Sequence, residues 1–408
     1  MNSRRFLQDI GLFLLLMGIF FLFSVLSCCL PERNLQDHVR QASNILHKKG
    51  NYPYIFPGQE ASRMDNFTDA LILNQAYHLD RRQPIRSAMR MPRHETEPAF
   101  DQVEALYKTT HGNTTLTERT YTRYWHGSTS LYRYMLALIP YPVMLWLMVI
   151  VTTLLWVCFI VFYYPRGGLC KTLVLPISGL LVYSFLMPQS LQFFPVLAIA
   201  LTASILILGE QRNIARLLFI TACATCYFDL LTIPLITFGW PVLVWLSIQE
   251  PSSLSWRKTP WQFVQWGICW VLGYGLTFVT KWLLGSWVLG ADVWQNATDA
   301  VTLRVSTGDF SRWDAVMQNV QLLPAPWCIA VIALFLLLAL VRFRAPNRLQ
   351  LTLTLLMALL PYLWYMAASN HSYLHYWFTY RLQAVSIAAI LMAILCFRGE
   401  ERILRKKR

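Results

Sequence analysis

Ten mostly apolar runs divide this chain between Ile10 and Phe397, and that repetition limits it to one kind of fold. The runs lie at 10–30, 134–163, 172–187, 194–209, 215–229, 231–247, 262–288, 325–341, 350–368 and 382–397. A helix of about 20 apolar residues crosses roughly 30 Å of hydrocarbon, and it satisfies its own backbone polar groups where no water can. The third to fifth runs are short for a crossing and are expected to tilt or to start deeper. The reading is an all-α polytopic protein of about ten transmembrane helices, multi-pass in a cell membrane. With 56% hydrophobic residues, and 16 Trp and 19 Tyr of the kind that settle at membrane interfaces, a water-soluble fold is set aside.

The loops give the orientation. Arg4 and Arg5 precede the first run, and alternate loops then carry Arg166 and Lys171, Arg212 and Arg216, Arg257 and Lys258, and Arg342, Arg344 and Arg348. The chain ends in Arg402, Arg405, Lys406, Lys407 and Arg408. Cations on short loops mark the cytoplasmic side, so both termini are expected inside. The opposite loops hold all eight His, and 290–324 has only Arg304 and Arg312 as cations. The net charge of +14 is thus dispersed over short inner loops and the tail, a pattern of topology and anionic-lipid contact rather than of nucleic-acid binding.

Four parts follow: a cytoplasmic N-terminus and first helix (1–30), an extracytoplasmic helical domain (31–133), a bundle of about nine helices (134–397) and a basic cytoplasmic tail (398–408). In the outer domain, Leu35, Val39, Ala42 and Leu46 repeat at helical spacing, with Asn34 as the expected cap and Gly50 as the stop. A second helix is expected from Ser62 to about Tyr77 and a third from Glu97 to Lys108, with Arg81 to Arg93 as an irregular basic loop. The long outer loop contains none of the nine Cys, so it must be held by packing, and Cys223-x-x-Cys226 on an apolar helix reads as packing. Sequons at Asn66, Asn113 and Asn296 all fall on the outer side and read as chance occurrences.

Chemistry concentrates on that side. Asp65 and Asp69 stand four residues apart, on one face of a helix, where one carboxylate raises the proton affinity of the other. Asp65 is the candidate general base on an acceptor hydroxyl, with Asp69 orienting it or holding a divalent cation. The alternative is that Asp65 caps the helix and Asp69 is solvated. Asn370, His371, His375, Tyr380 and Arg381 form a second group at the mouth of the last helix pair. Arg381 offers a fork suited to phosphate, and no H-E-x-x-H metal motif is present. The alternative there is an interfacial aromatic belt. Arg123 and His126, leading into the second run, are suited to a headgroup or sugar, or else anchor the interface with Tyr124 and Trp125. Asp229, between two runs, and Lys281, within the seventh, are further candidates, since ionisable groups at such depth usually face the bundle interior. Lys281 is expected instead to snorkel outward.

A first span, a long outer loop with helices and an acidic residue, and a many-span bundle with short inner loops together resemble the GT-C superfamily of membrane glycosyltransferases. The resemblance implies transfer of a sugar from a polyprenyl-phosphate donor to a hydroxyl of a glycan or protein acceptor at the outer face, with membrane lipids as the other partners. It implies Asp65 as base with Asp69 beside it, and His371, His375 and Arg381 at the donor phosphate. A polymerase or ligase acting on lipid-linked glycans remains an alternative, though its large loop typically comes late in the chain. A transporter is another, though no internal repeat is visible.

Overall fold

A computed structural model describes residues 3–97, 100–112, 116–209 and 213–399. The side chains of Arg4 and Arg5, the sequon at Asn113, Arg212 and the tail beyond Gly399 lie outside the described residues. In chain order the elements are α1 (Ser3–Cys28), α2 (Glu32–Lys49), α3 (Asn66–His78), α4 (Pro84–Arg90), β1 (Pro92–Glu95), α5 (Gln102–Thr110), β2 (Thr117–Thr120) and α6 (Gly127–Leu138). The bundle continues with α7 (Tyr141–Leu181), α8 (Phe194–Gly209), α9 (Ile214–Phe228), α10 (Ile236–Ser247) and α11 (Thr259–Leu289). It closes with α12 (Val293–Val305), α13 (Arg312–Gln321), α14 (Ala325–Leu340), α15 (Arg348–Met357), α16 (Leu360–Ala367), α17 (Ser369–Leu374), α18 (Tyr376–Thr379) and α19 (Ala384–Leu395).

Every apolar run contains a helix, but helix length does not give ten crossings. Among the described residues five segments are long and apolar enough: Leu7–Cys28, Tyr141–Leu181, Thr259–Leu289, Arg348–Ala367 and Tyr376–Leu395. A sixth forms if α13 and α14, bent by 76° at their junction, count as one, while α8, α9 and α10 are apolar but shorter. The runs at 134–163 and 172–187 fall together in α7, whose 41 residues are interrupted at Gly168 (φ 70°, ψ 175°). Glycine takes that backbone freely, and Pro165 before it removes an amide donor from the helix ladder. The second run also begins late, because Ile139 ahead of Pro140 is held extended (φ −137°, ψ 147°) and ends α6. Leu15, Ile150, Leu154, Leu283 and Ile329 are exposed on the outside of α1, α7, α11 and α14, as helices that face lipid require.

The basic loops meet at one end of the bundle. Arg216 binds Asp9 of α1 at 2.7 Å, Lys171 donates to the Ser247 carbonyl at 2.9 Å, and Arg344 N–H donates to the Phe397 carbonyl at 2.8 Å. The loops between the basic ones meet at the other end: Asn370 donates to the Leu303 carbonyl, Ser190 to Asp69, and Tyr380 to the Ala61 carbonyl. The charge segregation along the sequence is therefore a segregation in space.

Residues 31–133 are mostly helical with one exception to the all-α expectation. β1 and β2 pair antiparallel, Pro92 opposite Thr120 and Glu95 opposite Thr117. The stretch expected as an irregular basic loop is α4 followed by β1: Pro84 sits at the first turn, where its missing N–H costs nothing, and Met91 in the left-handed region ends the helix. The third helix starts at Gln102 rather than at Glu97, because Asp101 caps it by accepting from Glu104 N–H at 2.9 Å. α2 starts at Glu32, ahead of Asn34, and ends at Gly50 (φ 77°) as its spacing predicts. Its stripe of Leu35, Val39, Ala42 and Leu46 is buried against Ile72 and Leu73 of α3, Val103 and Leu106 of α5, and Leu136 of α6. At about 1.5–3 kcal/mol for each large apolar side chain buried, this shared core replaces the absent disulfides; all nine Cys are free.

Two buried cations fasten this domain to the spans. Arg133 of α6 donates to the Ser27 carbonyl at the end of α1 at 2.9 Å, and to the Ala76 carbonyl near the end of α3. Lys281 does not snorkel. It is fully buried in α11, donates to the Met89 carbonyl at 3.0 Å, and faces the Trp125 ring. The last carbonyls of α4, unpaired within their own helix, are natural acceptors for an ammonium group.

Candidate functional site

The carboxylate pair expected on a helix face is formed at the start of α3. Asp65 is the cap: its Oδ1 accepts from Thr68 N–H at 3.0 Å, and α3 begins one residue later. Capping and burial occur together, since Asp65 is only 2% exposed and Asp69 only 1%. Asp69 accepts from Ser190 Oγ at 2.9 Å and Gln192 N–H at 3.2 Å, so it is packed rather than solvated and ties α3 to the segment before α8. Burial pushes the Asp65 carboxyl up to about 6, held back by the Thr68 hydrogen bonds, Arg381 and Arg63. Burial and then the neighbouring Asp65 push Asp69 higher, to about 8. Asp65 is therefore the member of the pair that gives up its proton first. Among the described residues no group of three His, Cys, Asp or Glu gathers to hold a metal, so the pair has no third ligand of those types beside it.

Arg381 comes to this pair from the other end of the chain. It is 1% exposed, donates at 3.3 Å to the Ala61 carbonyl, four residues before Asp65, and at 3.3 Å to the Trp377 carbonyl. Its guanidinium lies 5.0 Å from the Phe193 ring and 5.1 Å from the Tyr380 ring, with Nε left without a partner. Tyr380 is buried beside it, its hydroxyl 2.7 Å from the Ala61 carbonyl. Arg63 completes the basic surroundings, paired with Glu60 at 2.5 Å and set over the Tyr52 and Trp377 rings.

The rest of the second group lies in a different place. A cavity of about 340 Å³ opens at the same end of the bundle, lined by Arg123, Arg304, Asn370, His371 and His375 together with Asn296 and Asp299. Arg123 and Arg304 each have a buried Nε without a partner, and each guanidinium lies against the Tyr124 ring, at 5.7 and 5.5 Å. His371 bonds the Leu231 carbonyl at 2.7 Å and its ring stands 4.9 Å from that of His375. Burial pushes both His down, His371 well below its usual range and His375 to about 4, so both are neutral at physiological pH. The cavity thus offers two cations, two neutral imidazoles and the Asn370 amide to a phosphate, with one carboxylate, Asp299, on its wall. Asp65, Asp69, Tyr380 and Arg381 do not line this cavity. An aromatic chain connects the two clusters: the His375 ring lies 5.2 Å from Phe378, Phe378 lies 5.8 Å from Phe193, and Phe193 carries Arg381.

The two remaining candidates serve the backbone. His126 is buried with φ 56° and bonds the Tyr121 carbonyl at 2.9 Å, which fixes the turn that carries Arg123. Asp229 is buried and accepts from Thr232 N–H at 3.1 Å and from the Thr232 hydroxyl, shaping the loop whose Leu231 carbonyl holds His371. Asn66 is 7% exposed and donates to the Gly50 carbonyl at 2.8 Å, so its sequon offers no free amide for a glycan.

Arg304 and Asp299 are charged residues of the cavity not singled out as site residues from the sequence. For Arg304 the signal was present, since it is one of only two cations in 290–324. No protein-family model, curated protein or solved structure matches this chain.

Proposed function

We propose that this protein is an integral membrane glycosyltransferase of the GT-C kind, moving a sugar from a polyprenyl-phosphate donor to an acceptor hydroxyl at its outer face. The observation that carries the reading is the set of groups at one end of the bundle: a buried carboxylate pair at Asp65 and Asp69 and a separate cavity lined by Arg123 and Arg304. In this reading the basic end is cytoplasmic, both termini lie there, and the short helices α8, α9 and α10 belong to crossings.

In the reaction a carboxylate accepts the proton of the acceptor hydroxyl as its oxygen attacks the anomeric carbon; for Asp65 to be that base, Phe193 and Phe378 must move aside so that its pocket opens onto the cavity at Arg123 and Arg304. The bond from that carbon to the phosphate oxygen breaks, and the phosphate leaves with the electron pair. Arg304 and Arg123 neutralise that charge as it develops, with the Asn370 amide and the His375 ring donating beside them. Asp69, protonated, keeps a second negative charge away from Asp65. Arg381 acts on the base by favouring its ionised form and by holding the backbone at Ala61. Asp229, whose carboxylate is engaged by Thr232, is tested beside Asp65 as the next buried carboxylate close to His371.

Membranes containing the full chain, supplied with radiolabelled polyprenyl-phosphate sugars, provide the test. Wild-type membranes should transfer label to an endogenous glycan or protein fraction, and Asp65→Asn should abolish transfer while inserting normally. Full activity in Asp65→Asn with loss in Asp229→Asn would move the base. If no polyprenyl-phosphate sugar is consumed by the wild type, the glycosyltransferase reading fails.

A further inference from the structure

The helix α11 is long and apolar enough to cross a membrane, and its exposed tryptophans mark two levels along it. Trp261 near its start and Trp287 near its end stand 26 residues apart, about 39 Å along a helix at about 1.5 Å per residue. That is close to the roughly 40–45 Å of a bilayer with its headgroup regions, where Trp side chains settle. Trp287, 82% exposed, therefore marks headgroup level at the end of the bundle opposite the basic loops. Exposed Trp313 and Trp327, at the starts of α13 and α14, belong to the same end.

The 13-residue helix α12 begins just past that level. Gly290 (φ 63°) ends α11, and Asp292 caps α12 by accepting from Gln295 N–H at 2.8 Å. The far end of α12 stays at the same end of the bundle, where the Val305 and Ser306 carbonyls accept from Ser369 Oγ at the start of α17. Its sides have different surroundings. Val293 and Ala297 are buried, and a Cβ at Gly285 of α11 would stand 3.3 Å from Val293. Asn296, Asp299 and Arg304 line the cavity beside His371. Trp294, Val301 and Val305, at steps of seven and four, share a third side and are 41–48% exposed. Neither charged residue of the helix, Asp299 or Arg304, falls on that side. The Trp294 ring stands 5.3 Å from that of Trp282, so the stripe continues the exposed apolar surface of α11 at Leu283 and Trp287.

We propose that α12 is an interfacial anchor, lying along the membrane surface with Trp294, Val301 and Val305 set into the boundary between headgroups and acyl chains. The occupant of the stripe is lipid, because the surface it continues is the lipid-facing side of a membrane-crossing helix. A helix with its side chains is about 10–12 Å across, so Arg304 and the cavity it lines are held at headgroup depth, whatever reaction that cavity serves.

Nitroxide accessibility on the full chain in phosphatidylcholine nanodiscs tests this. Cys29 and Cys158 are replaced by Ser, and that chain without an added Cys serves as the blank. Spin labels at Val301→Cys and Val305→Cys should collide more with dissolved oxygen, which concentrates in hydrocarbon, than with a nickel chelate, which stays in water. A label at Asp299→Cys, away from the stripe and exposed, should show the reverse preference. Val301→Asp, by placing a carboxylate in the stripe, should shift the label at Val305→Cys toward the chelate. A preference for the chelate at all three positions would put α12 in water, and a preference for oxygen at all three would submerge it. Low collision with both reagents at Val301→Cys and Val305→Cys would put a second copy or another protein over the stripe. Any of these, or an oxygen preference at Val305→Cys that Val301→Asp leaves unchanged, overturns the proposal.

Discussion

Arg381 lowers the proton affinity of Asp65 while it holds the chain four residues before that carboxylate, through the 3.3 Å hydrogen bond from its guanidinium to the Ala61 carbonyl. One side chain of the final helix pair thus both positions and tunes an acid of the domain that follows the first span. Removing its charge by Arg381→Gln should raise the Asp65 carboxyl further above 6. The pH–activity profile, if Asp65 is the base, should rise through about pH 6 in the wild type and at a higher pH in the variant. An unshifted profile with reduced activity would mean that Arg381 acts on backbone position alone. Arg381→Lys should keep much of the pH midpoint but lose activity, because a point charge does not reproduce the flat contact with Phe193 and Tyr380.

Asp69 makes stability depend on pH with a definite sign. Its folded carboxyl binds its proton up to about pH 8, whereas an unfolded Asp releases it near 4, so the native state holds more protons between those values. Stability contributed by the protonated form is complete below about pH 4 and is lost as pH rises toward 8. Asp69→Asn should flatten that decline, which thermal unfolding in detergent at pH 5 and pH 9 measures. An equal slope in both proteins would show that Asp69 is not the group responsible.

Gly127 admits no side chain. A Cβ there would stand 2.3 Å from the Tyr227 ring and 2.7 Å from the Tyr227 carbonyl oxygen, so α6 and α9 would have to separate. Gly127→Ala should cost about 1–3 kcal/mol or more, as overpacked sites do. A lower unfolding temperature and reduced membrane yield would follow, whereas Gly275→Ala, which meets nothing within 4 Å, should be neutral by comparison.

Arg304 and Arg312 are the two cations of 290–324, yet of the two only Arg304 lines the cavity beside His371 and His375. Arg304→Gln should raise the KM for a polyprenyl-phosphate donor by about tenfold or more, as for loss of a charge-assisted hydrogen bond. Arg312→Gln, whose guanidinium donates to the Met366 carbonyl at 2.6 Å, should leave donor KM unchanged. Equal effects of the two would place the donor phosphate elsewhere.

Orientation is open to direct measurement. In a background with Cys29 and Cys158 replaced by Ser, Asp309→Cys should react with an impermeant maleimide in intact cells, and Ala345→Cys should react only after permeabilisation. Both positions are exposed and lie on loops assigned to opposite faces. The reverse labelling would invert the protein and place Asp65 in the cytoplasm.

The features that follow from local composition were legible in the sequence. Apolar runs became helices, the stripe of Leu35, Val39, Ala42 and Leu46 became the buried face of α2, and the basic loops gathered at one end, because period and charge act over a few residues. Asp65 as a helix cap and Asp69 one turn on were visible for the same reason. The number of crossings was not, since it depends on where Gly168 and Pro165 break α7 and on how α13 bends into α14. The short pairing of β1 with β2 joins segments more than 20 residues apart, which no local pattern announces. Burial was the larger unknown. The acidity of the carboxylate pair is set by the packing of α3 against α6 and the segment before α8. The division of one predicted phosphate group into two clusters is set by Phe378 and Phe193 standing between His375 and Arg381. Residues twelve or fewer apart in sequence were placed on different sides of an aromatic wall, and residues from the first and last parts of the chain were brought together, because desolvation and packing act between elements and not along them.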